Sequence, residues 1–547
     1  MIRFYLNGKL HELTDLNPNT TVLEYLRQHV RQTDTKEGCG SGDCGACTVM
    51  VQRLPNNDAP ATDSPFYTLN SCITLLSLID GHHLLTASYL ADNPAHHPER
   101  ATLHPAQQAL VECHGSQCGF CTPGFVMSLA CIYENKRLAN STLQDSNSSS
   151  NELSYDEVVA SISGNLCRCT GYRPIIDAGL AMQQIGATRQ GRQAAHKNLA
   201  IDVMANSTAE SATTSSPAPT PTLEDSLTPA IRQGSQQLFI PKTIAQLNQL
   251  LATYPQATLW AGGTDLGLSI TQHLVDHETI IQLSAIDELK AWSLQPIENA
   301  TGDKLAVAKE LVLGAGMSYQ QMLPVLEQHF PTFAQVFERI ASPQIRNMGT
   351  IGGNIANASP IGDLPPILLA LDAQIHLRHC GADDGADSRV DNLQVIDETL
   401  PLADFFLDYK KTKLRAGSYV VAIHIPLMTE AQHLFIHKIS KRYEDDISAC
   451  LLALRVDLSD DGQQIVDTRV GLGGMAAVPM LAEQCQQALI GQAVELASFQ
   501  QAASVLNLDV SPMTDVRASR EYRMHVVQRL LVKCGKQLLS ALQPETA

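Results

Sequence analysis

Cys39, Cys44 and Cys47 stand in a C-x4-C-x2-C pattern within GCGSGDCGACTVM, residues 38–50, and Cys72 follows at the end of an apolar-alternating segment. Four thiolates at this spacing suit a [2Fe–2S] cluster of the plant type. Gly38, Gly40, Gly42 and Gly45 serve the same chemistry. A loop that wraps an inorganic cluster must visit positive φ and bring backbone N–H groups close to the sulfides. A structural zinc site also takes four thiolates, but the asymmetric spacing and the crowd of glycines favour the cluster.

A second set pairs Cys118 and Cys121, spaced C-x2-C, with Cys167 and Cys169, spaced C-x-C. Either motif alone is weak, because C-x2-C also marks zinc sites and thioredoxin-like pairs. Together they offer four thiolates, each pair near an expected helix terminus where backbone donors offset thiolate charge. The spacing implies a metal or a cluster and leaves its identity open. Eight of the fourteen cysteines fall in these two sets. The others, Cys113, Cys131, Cys380, Cys450, Cys485 and Cys534, are isolated and read as buried small hydrophobes.

The rest of the composition narrows the function classes. A net charge of −18 with no concentrated basic stretch argues against a nucleic-acid partner. No apolar run is long enough to cross a bilayer, and the opening MIRFYLNGKL alternates like a strand, without the apolar core of a signal peptide. A cytoplasmic protein with no membrane partner is expected, and there a disulfide framework is out of place. At 547 residues the chain should hold about three or four domains.

The cysteines need elements to position them. Residues 1–81 read as a small β-rich domain: Ile2, Phe4 and Leu6 alternate, Asn7-Gly8 is a hairpin turn, and residues 21–30 form one amphipathic helix through Val22, Leu23, Leu26 and Val30. A strand at 48–54 and a polar excursion at 55–64 precede Cys72. A mixed sheet crossed by one helix fits a β-grasp, ferredoxin-like domain. Residues 82–185 read as helical, with helices from Pro105 to Cys113, from Pro123 to about residue 137, from a Ser154–Glu157 capping box to Gly164, and from Pro174 onward. Residues 140–151 are a Ser/Asn-rich insertion, and 186–235 a Ser/Thr/Pro/Ala-rich linker that cannot bury a core.

Residues 236–412 read as an α+β domain. A Thr243-x-x-Gln246 capping box opens a helix through Tyr254. A buried strand, Leu259, Trp260 and Ala261, ends in Gly262, Gly263, Thr264, Asp265 and Leu266. A second glycine turn runs Gly349, Thr350, Ile351, Gly352, Gly353, Asn354. Neither is a G-x-G-x-x-G between strand and helix, so a Rossmann fold is not indicated. Their chemical use would be backbone N–H groups that approach a pyrophosphate without Cβ obstruction. Residues 413–547 read as a last α+β domain: a strand at 419–426, a charged loop at 438–446 that alone would be a solvated turn, a glycine-rich turn in VGLGGMAAVPMLA, and a closing helix.

These segments resemble the molybdenum hydroxylases, the xanthine dehydrogenase and aldehyde oxidase family. KEGCGSGDCGACTV resembles the family's first [2Fe–2S] motif, and GSQCGFCTPGFVMSL with GNLCRCTGYRPI its second. LWAGGTDLG and IRNMGTIGGNIANASPIGDLPP resemble its two FAD segments. The resemblance implies cluster ligands at all eight cysteines and a helical-bundle [2Fe–2S] domain. It also implies a flavin domain of the vanillyl-alcohol-oxidase type, with residues 259–266 and 350–354 lining the pyrophosphate and ribityl region and Asp363 adding a polar contact. Lys438 would touch FAD. Animal members place a phenylalanine against the flavin where this chain has Ile340.

The resemblance covers residues 1 to about 540, excepting the linker and the insertion, and leaves no stretch for the large molybdopterin-binding domains. It therefore implies the iron–sulfur/FAD small subunit of a xanthine dehydrogenase. A separate molybdenum-cofactor subunit would complete a heterodimer or a dimer of heterodimers. Electrons from hypoxanthine or xanthine would pass through the 118/121/167/169 cluster, then the 39/44/47/72 cluster, to FAD and NAD+. No residue of the chain would act as a catalytic acid or base. Alternatives are the matching part of an aldehyde-, nicotinate- or carbon-monoxide-oxidising hydroxylase, a stand-alone NADH-oxidising flavoprotein, and a zinc-stapled scaffold. The 40–46 side of the first loop is expected to be covered by the third domain.

Overall fold

The computed structural model describes residues 1–54, 66–91, 102–142, 152–190, 199, 228–297, 309–382 and 393–542. The polar excursion at 55–64, most of the insertion at 140–151 and most of the linker at 186–235 lie outside them. The chain divides into two compact units, and the first is assembled from Met1–Pro241, Thr258–Ser284 and Ser342–Met348.

In the first unit, β1 (Ile2–Leu6), β2 (Lys9–Leu13), β3 (Thr48–Arg53), β4 (Phe66–Asn70) and β5 (His82–Leu85) form a mixed sheet ordered β2-β1-β5-β3-β4. Asn7 and Gly8 both take positive φ, +51° and +82°, as the β1–β2 hairpin requires. Strand β3 is buried on both sides, and each side has a core. Val49 and Val51 join Ile2, Phe4, Val22, Leu26 and Leu69. Met50 faces the helical layer with Phe125, Leu129, Val158 and Ile175. A strand covered on both faces loses the polar alternation of a half-exposed one.

The helix expected over 21–30 is only three α-residues, Val22–Glu24, followed by a π-turn, Tyr25–His29. The wider turn puts Tyr25 in the core beside Leu26 and leaves Val30 half-buried. The helical layer consists of Pro105–Glu112, Thr122–Thr142, Tyr155–Ile162 and Arg173–Gln190. The Ser154–Glu157 capping box is formed in both directions. Gly164, expected to end that helix through positive φ, lacks it. Its small size is used instead, because a Cβ there would lie 2.2 Å from Gln344 Oε1. A second sheet of this unit, ordered β6-β7-β9-β8, holds β6 (Ile231–Gln233), β7 (Gln236–Phe239), β8 (Thr258–Trp260) and β9 (Thr279–Gln282). Trp260 and Ile280 share the core of the first sheet.

The second unit comprises Lys242–Ala257, Ala285–Ala341 and Gly349–Ala547. Thr243 caps the helix Ile244–Thr253, but the Gln246 side chain accepts from Lys242 N–H, one residue before the expected box. Its larger sheet contains β10 (Trp292–Pro296), β11 (Lys309–Gly314), β12 (Gln374–Ala382) and β13 (Leu393–Pro401); a short hairpin, β14 (Phe406–Asp408) and β15 (Lys411–Thr412), follows. β16 (Ser418–Pro426), expected to open the last domain, is instead hydrogen-bonded between β11 and β12. The remaining sheet is β17 (Gln432–Ile439), β18 (Cys450–Leu458), β19 (Ile465–Gly473) and β20 (Met480–Leu481). The expected glycine turn of VGLGG is largely β19 itself. A Cβ on Gly471 would come within 1.9 Å of the Pro366 carbonyl oxygen, so glycine lets the strand lie directly on the helix Leu364–Ala370. The closing helix is Arg520–Leu542. Cys131, Cys380, Cys450, Cys485 and Cys534 are buried, and Cys113 is half-buried.

Candidate functional site

The first cysteine loop is shaped by Gly40, Gly42 and Gly45 at φ of +63°, +82° and +64°. Those turns aim the N–H groups of Ser41 and Cys44 at Cys39 Sγ, at 3.3 and 3.4 Å. Cys47 and Cys72 are buried with sulfurs 3.3 Å apart. A hydrogen bond from the Cys44 thiol holds Cys39 down to about 4, with Ser41 assisting against burial, and pushes Cys44 up. The Cys72 thiol likewise lowers Cys47 and is itself raised. Donors aimed at sulfur, a glycine-lined curve and two favoured thiolates are what a thiolate-bound cluster demands. Among the described residues, no three or more His, Cys, Asp or Glu side chains converge on a single-ion site; the sulfurs approach in pairs.

The second set sits just before two helices. Cys121 directly precedes Thr122–Thr142, and its carbonyl accepts from Phe125 N–H. Cys167 and Cys169 precede Arg173–Gln190. Gly119 and Gly171 take positive φ, +82° and +72°. Burial works against the Cys167 thiolate, but the Thr170 hydroxyl, 3.1 Å from its sulfur, and the Thr170 backbone lower it overall. Cys121 is pushed up to about 12 by burial and by Cys167, and Cys169 is raised by Cys118. The four sulfurs therefore meet as Cys121 with Cys167 and Cys118 with Cys169. Cys118 and Cys169 are exposed, and Phe120 and Leu166 beside them are exposed apolar groups.

Residues 259–266 belong to the first unit, and it is the residues just after them, Gly267 and Gln272, that pack against the first cysteine set. Only Trp260 of the expected buried strand is fully covered, while Leu259 and Ala261 are half-buried. Gly263, at φ +72°, lets the chain turn over the Trp260 indole, which a Cβ would strike at 2.2 Å. Gly267 packs on the Ile73 carbonyl, next to Cys72, and Gln272 Nε2 donates to the carbonyls of Cys39 and Gly40, each at 3.1 Å. Asn165 and Gly164 close the loop's other side at Gly45. The 40–46 side is thus covered by the helical layer as well as by the third domain's sequence.

In the second unit, the expected glycine turn at 349–354 is a capped helix start. Thr350 Oγ1 accepts from Gly353 N–H at 3.1 Å and opens the helix Ile351–Ala356. Gly352 is pressed on Ala315, whereas a Cβ on Gly353 would meet only Thr350 Oγ1. Asn354 Oδ1 is buried without a hydrogen-bond partner. An open glycine face and an orphaned acceptor at a helix N-terminus fit a phosphate-bearing cofactor with donors of its own. Lys438, expected in a solvated loop, is the penultimate residue of β17, lies in the interior and pairs with Asp363 at 2.5 Å. Ile340 is buried in the core with Phe337 and Ile351, just before Ala341 at φ +61°.

Four family models match the chain in sequence. They are a 2Fe-2S iron-sulfur cluster binding domain at 4–77, a [2Fe-2S] binding domain at 91–180, an FAD binding domain in molybdopterin dehydrogenase at 233–428, and a CO dehydrogenase flavoprotein C-terminal domain at 435–538. The chain belongs to the molybdenum hydroxylase family. It is an electron-transfer component with two [2Fe–2S]-binding domains and an FAD-binding domain. Xanthine dehydrogenase 1 of Arabidopsis thaliana is 29% identical over 546 residues, covering 92% of this chain and 37% of that protein. Aldehyde oxidase 1 of Rattus norvegicus is 28% identical over 527 residues, covering 89% and 36%. The chain thus spans little more than a third of these relatives. A carbon monoxide dehydrogenase chain from Hydrogenophaga pseudoflava, described as lacking the Mo-pyranopterin moiety, is 24% identical at a TM-score of 0.46, covering 55% of this chain and 96% of that one.

Within this molybdenum hydroxylase chain, sequence reasoning missed Gln272, Asn165, Ser128 and Gln344. Ser128 and Asn165 lie inside the second cysteine motif but are not ligand types, and Gln272 and Gln344 lie in segments with no metal or phosphate pattern. Within ASPQIRNM nothing marks Gln344 beyond its apolar immediate neighbours, Pro343 and Ile345. No helix among the described residues is long and apolar enough to cross a membrane.

Proposed function

We propose that this chain is the iron–sulfur/FAD subunit of a cytoplasmic xanthine dehydrogenase that oxidises hypoxanthine and xanthine with NAD+, with the molybdenum cofactor on a partner subunit. The observation that supports this most is the order of the four matched domains along residues 4–538, collinear with a xanthine dehydrogenase over 92% of the chain.

The domains of this reading are a β-grasp domain at 1–81, a helical bundle at 82–185, a linker at 186–235, a vanillyl-alcohol-oxidase-type FAD domain at 236–412 and a C-terminal flavoprotein domain at 413–547. Cys39, Cys44, Cys47 and Cys72 would hold one cluster, and Cys118, Cys121, Cys167 and Cys169 the other. Residues 259–266 and 350–354, with Ile340, Asp363 and Lys438, would hold FAD. Bound iron–sulfur clusters supply one-electron transfer and the flavin exchanges one or two electrons. The residues bind and orient these groups. Exposed Cys118 and Cys169, flanked by Phe120 and Leu166, suit the face toward a partner. Buried Cys47 and Cys72, with Gly267 packed beside them, suit the side toward the flavin.

The match to an aldehyde oxidase of similar identity favours aldehydes as a second substrate class. Purified complex assayed with xanthine, nicotinate and aldehydes separates the readings. Xanthine-dependent NAD+ reduction is expected, with about four irons and one FAD per chain. Colourless protein without flavin would overturn the assignment.

A further inference from the structure

The two cysteine sets are joined by a buried polar node. Leu166 N–H, between Asn165 and Cys167, donates to the Cys44 carbonyl at 2.9 Å. Asn165 Nδ2 donates to the Gly45 carbonyl at 3.0 Å and to Thr48 Oγ1 at 3.2 Å. Ser128, on the helix that follows Cys121, donates to Asn165 Oδ1 at 2.7 Å. Gln344 enters among these groups. Its Nε2 lies 3.2 Å from Thr48 Oγ1, 3.3 Å from Ser128 Oγ and 3.2 Å from Asn165 Oδ1. Gln344 is fully buried, and Thr48, Ser128 and Asn165 are each about as buried.

The backbone around the node leaves no slack. A Cβ on Gly45 would lie 2.2 Å from the Gly164 carbonyl, one on Gly124 2.2 Å from the Gly45 carbonyl, and one on Gly164 2.2 Å from Gln344 Oε1. Gln344 Oε1 has no hydrogen-bond partner. A buried acceptor left unpaired costs free energy, so the amide's orientation is held by its donor side and by close packing on Gly164. The short helix carrying it, Pro343–Met348, is tied to β4 through Asn347 Nδ2 and the Thr68 carbonyl at 2.8 Å.

We infer that Gln344 is a positioning residue for the pair of iron–sulfur sites. Its amide clamps the Cys44–Cys47 loop, the Asn165–Cys167 loop and the helix after Cys121 into one register, fixing the separation and orientation of the two clusters. This rests on the cluster assignment proposed above. It goes further in giving that task to a residue that ligates nothing and comes from between the two FAD segments in sequence.

The test uses full-length chain with its cofactors loaded. Electron paramagnetic resonance of the fully reduced protein reads the spin–spin splitting between the clusters, which depends on their separation and orientation. Gln344→Leu keeps the volume and removes the donors. It should retain the wild-type iron and FAD content, and its splitting should shift by more than the spread among wild-type preparations. Ser128→Ala removes one acceptor of the amide, together with the Ser128 bond to Asn165 Oδ1, and should shift the splitting less, in the same direction. An unchanged splitting in Gln344→Leu, even with a lowered melting temperature, would overturn the inference and leave a merely structural role. If Gln344→Leu does not fold, an unchanged splitting in Ser128→Ala overturns it instead. Failure of the parent assignment would appear separately, as wild-type protein with far fewer than about four irons.

Discussion

Lys438 Nζ lies 2.5 Å from Asp363 Oδ2, with 1% of the lysine side chain and 9% of the aspartate side chain exposed. The ammonium also donates to the Asp446 carbonyl at 2.7 Å and to Ser448 Oγ at 3.2 Å, and Ser448 donates to the other Asp363 oxygen. Both charges are thereby paired inside the protein. Asp363 stands at the N-terminus of the helix Leu364–Ala370, yet its carboxylate does not cap that helix. It is committed to Lys438 instead. Asp446 in turn accepts from the N–H groups of Lys441 and Arg442, so the pair anchors the 440–446 loop.

Breaking such a pair strands a buried charge. Lys438→Met should cost about 3–5 kcal/mol of stability, and Lys438→Met with Asp363→Leu should recover much of that loss. Urea unfolding of the two single variants and the double variant measures the coupling. Losses that simply add would mean the charges do not depend on one another.

Cys44→Ser should lower the iron content from about four to about two per chain while FAD remains bound. Flavin reduction by the organic substrate should then stop. Metal analysis, flavin release on denaturation and stopped-flow absorbance check these three outcomes, and normal flavin reduction would exclude the first cysteine set from the electron route.

The neighbouring glycines Gly352 and Gly353 should respond differently. A Cβ at Gly352 meets Ala315 Cβ at 2.6 Å and the Ala315 carbonyl at 2.7 Å, so Gly352→Val should destabilise the fold. At Gly353 only Thr350 Oγ1 is near, so Gly353→Val should fold but lose FAD through obstruction of the open face. Flavin content and melting temperature measured on both variants separate packing from binding. Full flavin occupancy in Gly353→Val would refute the role given to residues 350–354.

Glu134 predicts an acid limb. It is buried between His104, at 3.0 Å, and Arg137, at 2.7 Å. Burial raises its pKa, but the bonds to His104 and Arg137 outweigh that and hold it below the usual 4.5. A depressed folded pKa stabilises fully above the unfolded value and loses that stabilisation as pH falls through the folded one. Glu134→Gln should therefore be less stable than wild type at neutral pH, and the gap should narrow only below about pH 4.5. Urea midpoints from neutral pH down into that range would show it; a constant gap would mean the ionised form gives no advantage.

The parts legible in the sequence were those set by neighbours in the chain. The Ser154 box, the Asn7-Gly8 hairpin and the glycine turns around Cys39 depend on residues a few positions apart, and they formed. The helix at 21–30 did not run through because an apolar stripe specifies which side is buried and not the pitch, and Tyr25 found cover through a π-turn. Lys438 looked solvated because its counter-charge lies 75 positions away. Gln344 was invisible for the same reason, since its partners are 179 to 296 residues distant. β16 was misplaced because an apolar strand shows that it is buried but not which sheet it enters.

The first unit is threaded from three lengths of one chain. A ribosome must therefore emit residue 348 before the earliest cysteine loop has its full cover, and until then Thr48, Ser128 and Asn165 wait without the amide that joins them. Contacts this distant in sequence form late and leave apolar surface exposed meanwhile. Cutting the gene just after residue 190 would release an N-terminal piece that lacks Trp260, Ile280 and Gln344. The first [2Fe–2S]-binding domain of this protein is thus a dependent of the FAD-binding region during synthesis, and a fragment ending before residue 235 should be recovered as aggregate where the full chain is recovered folded.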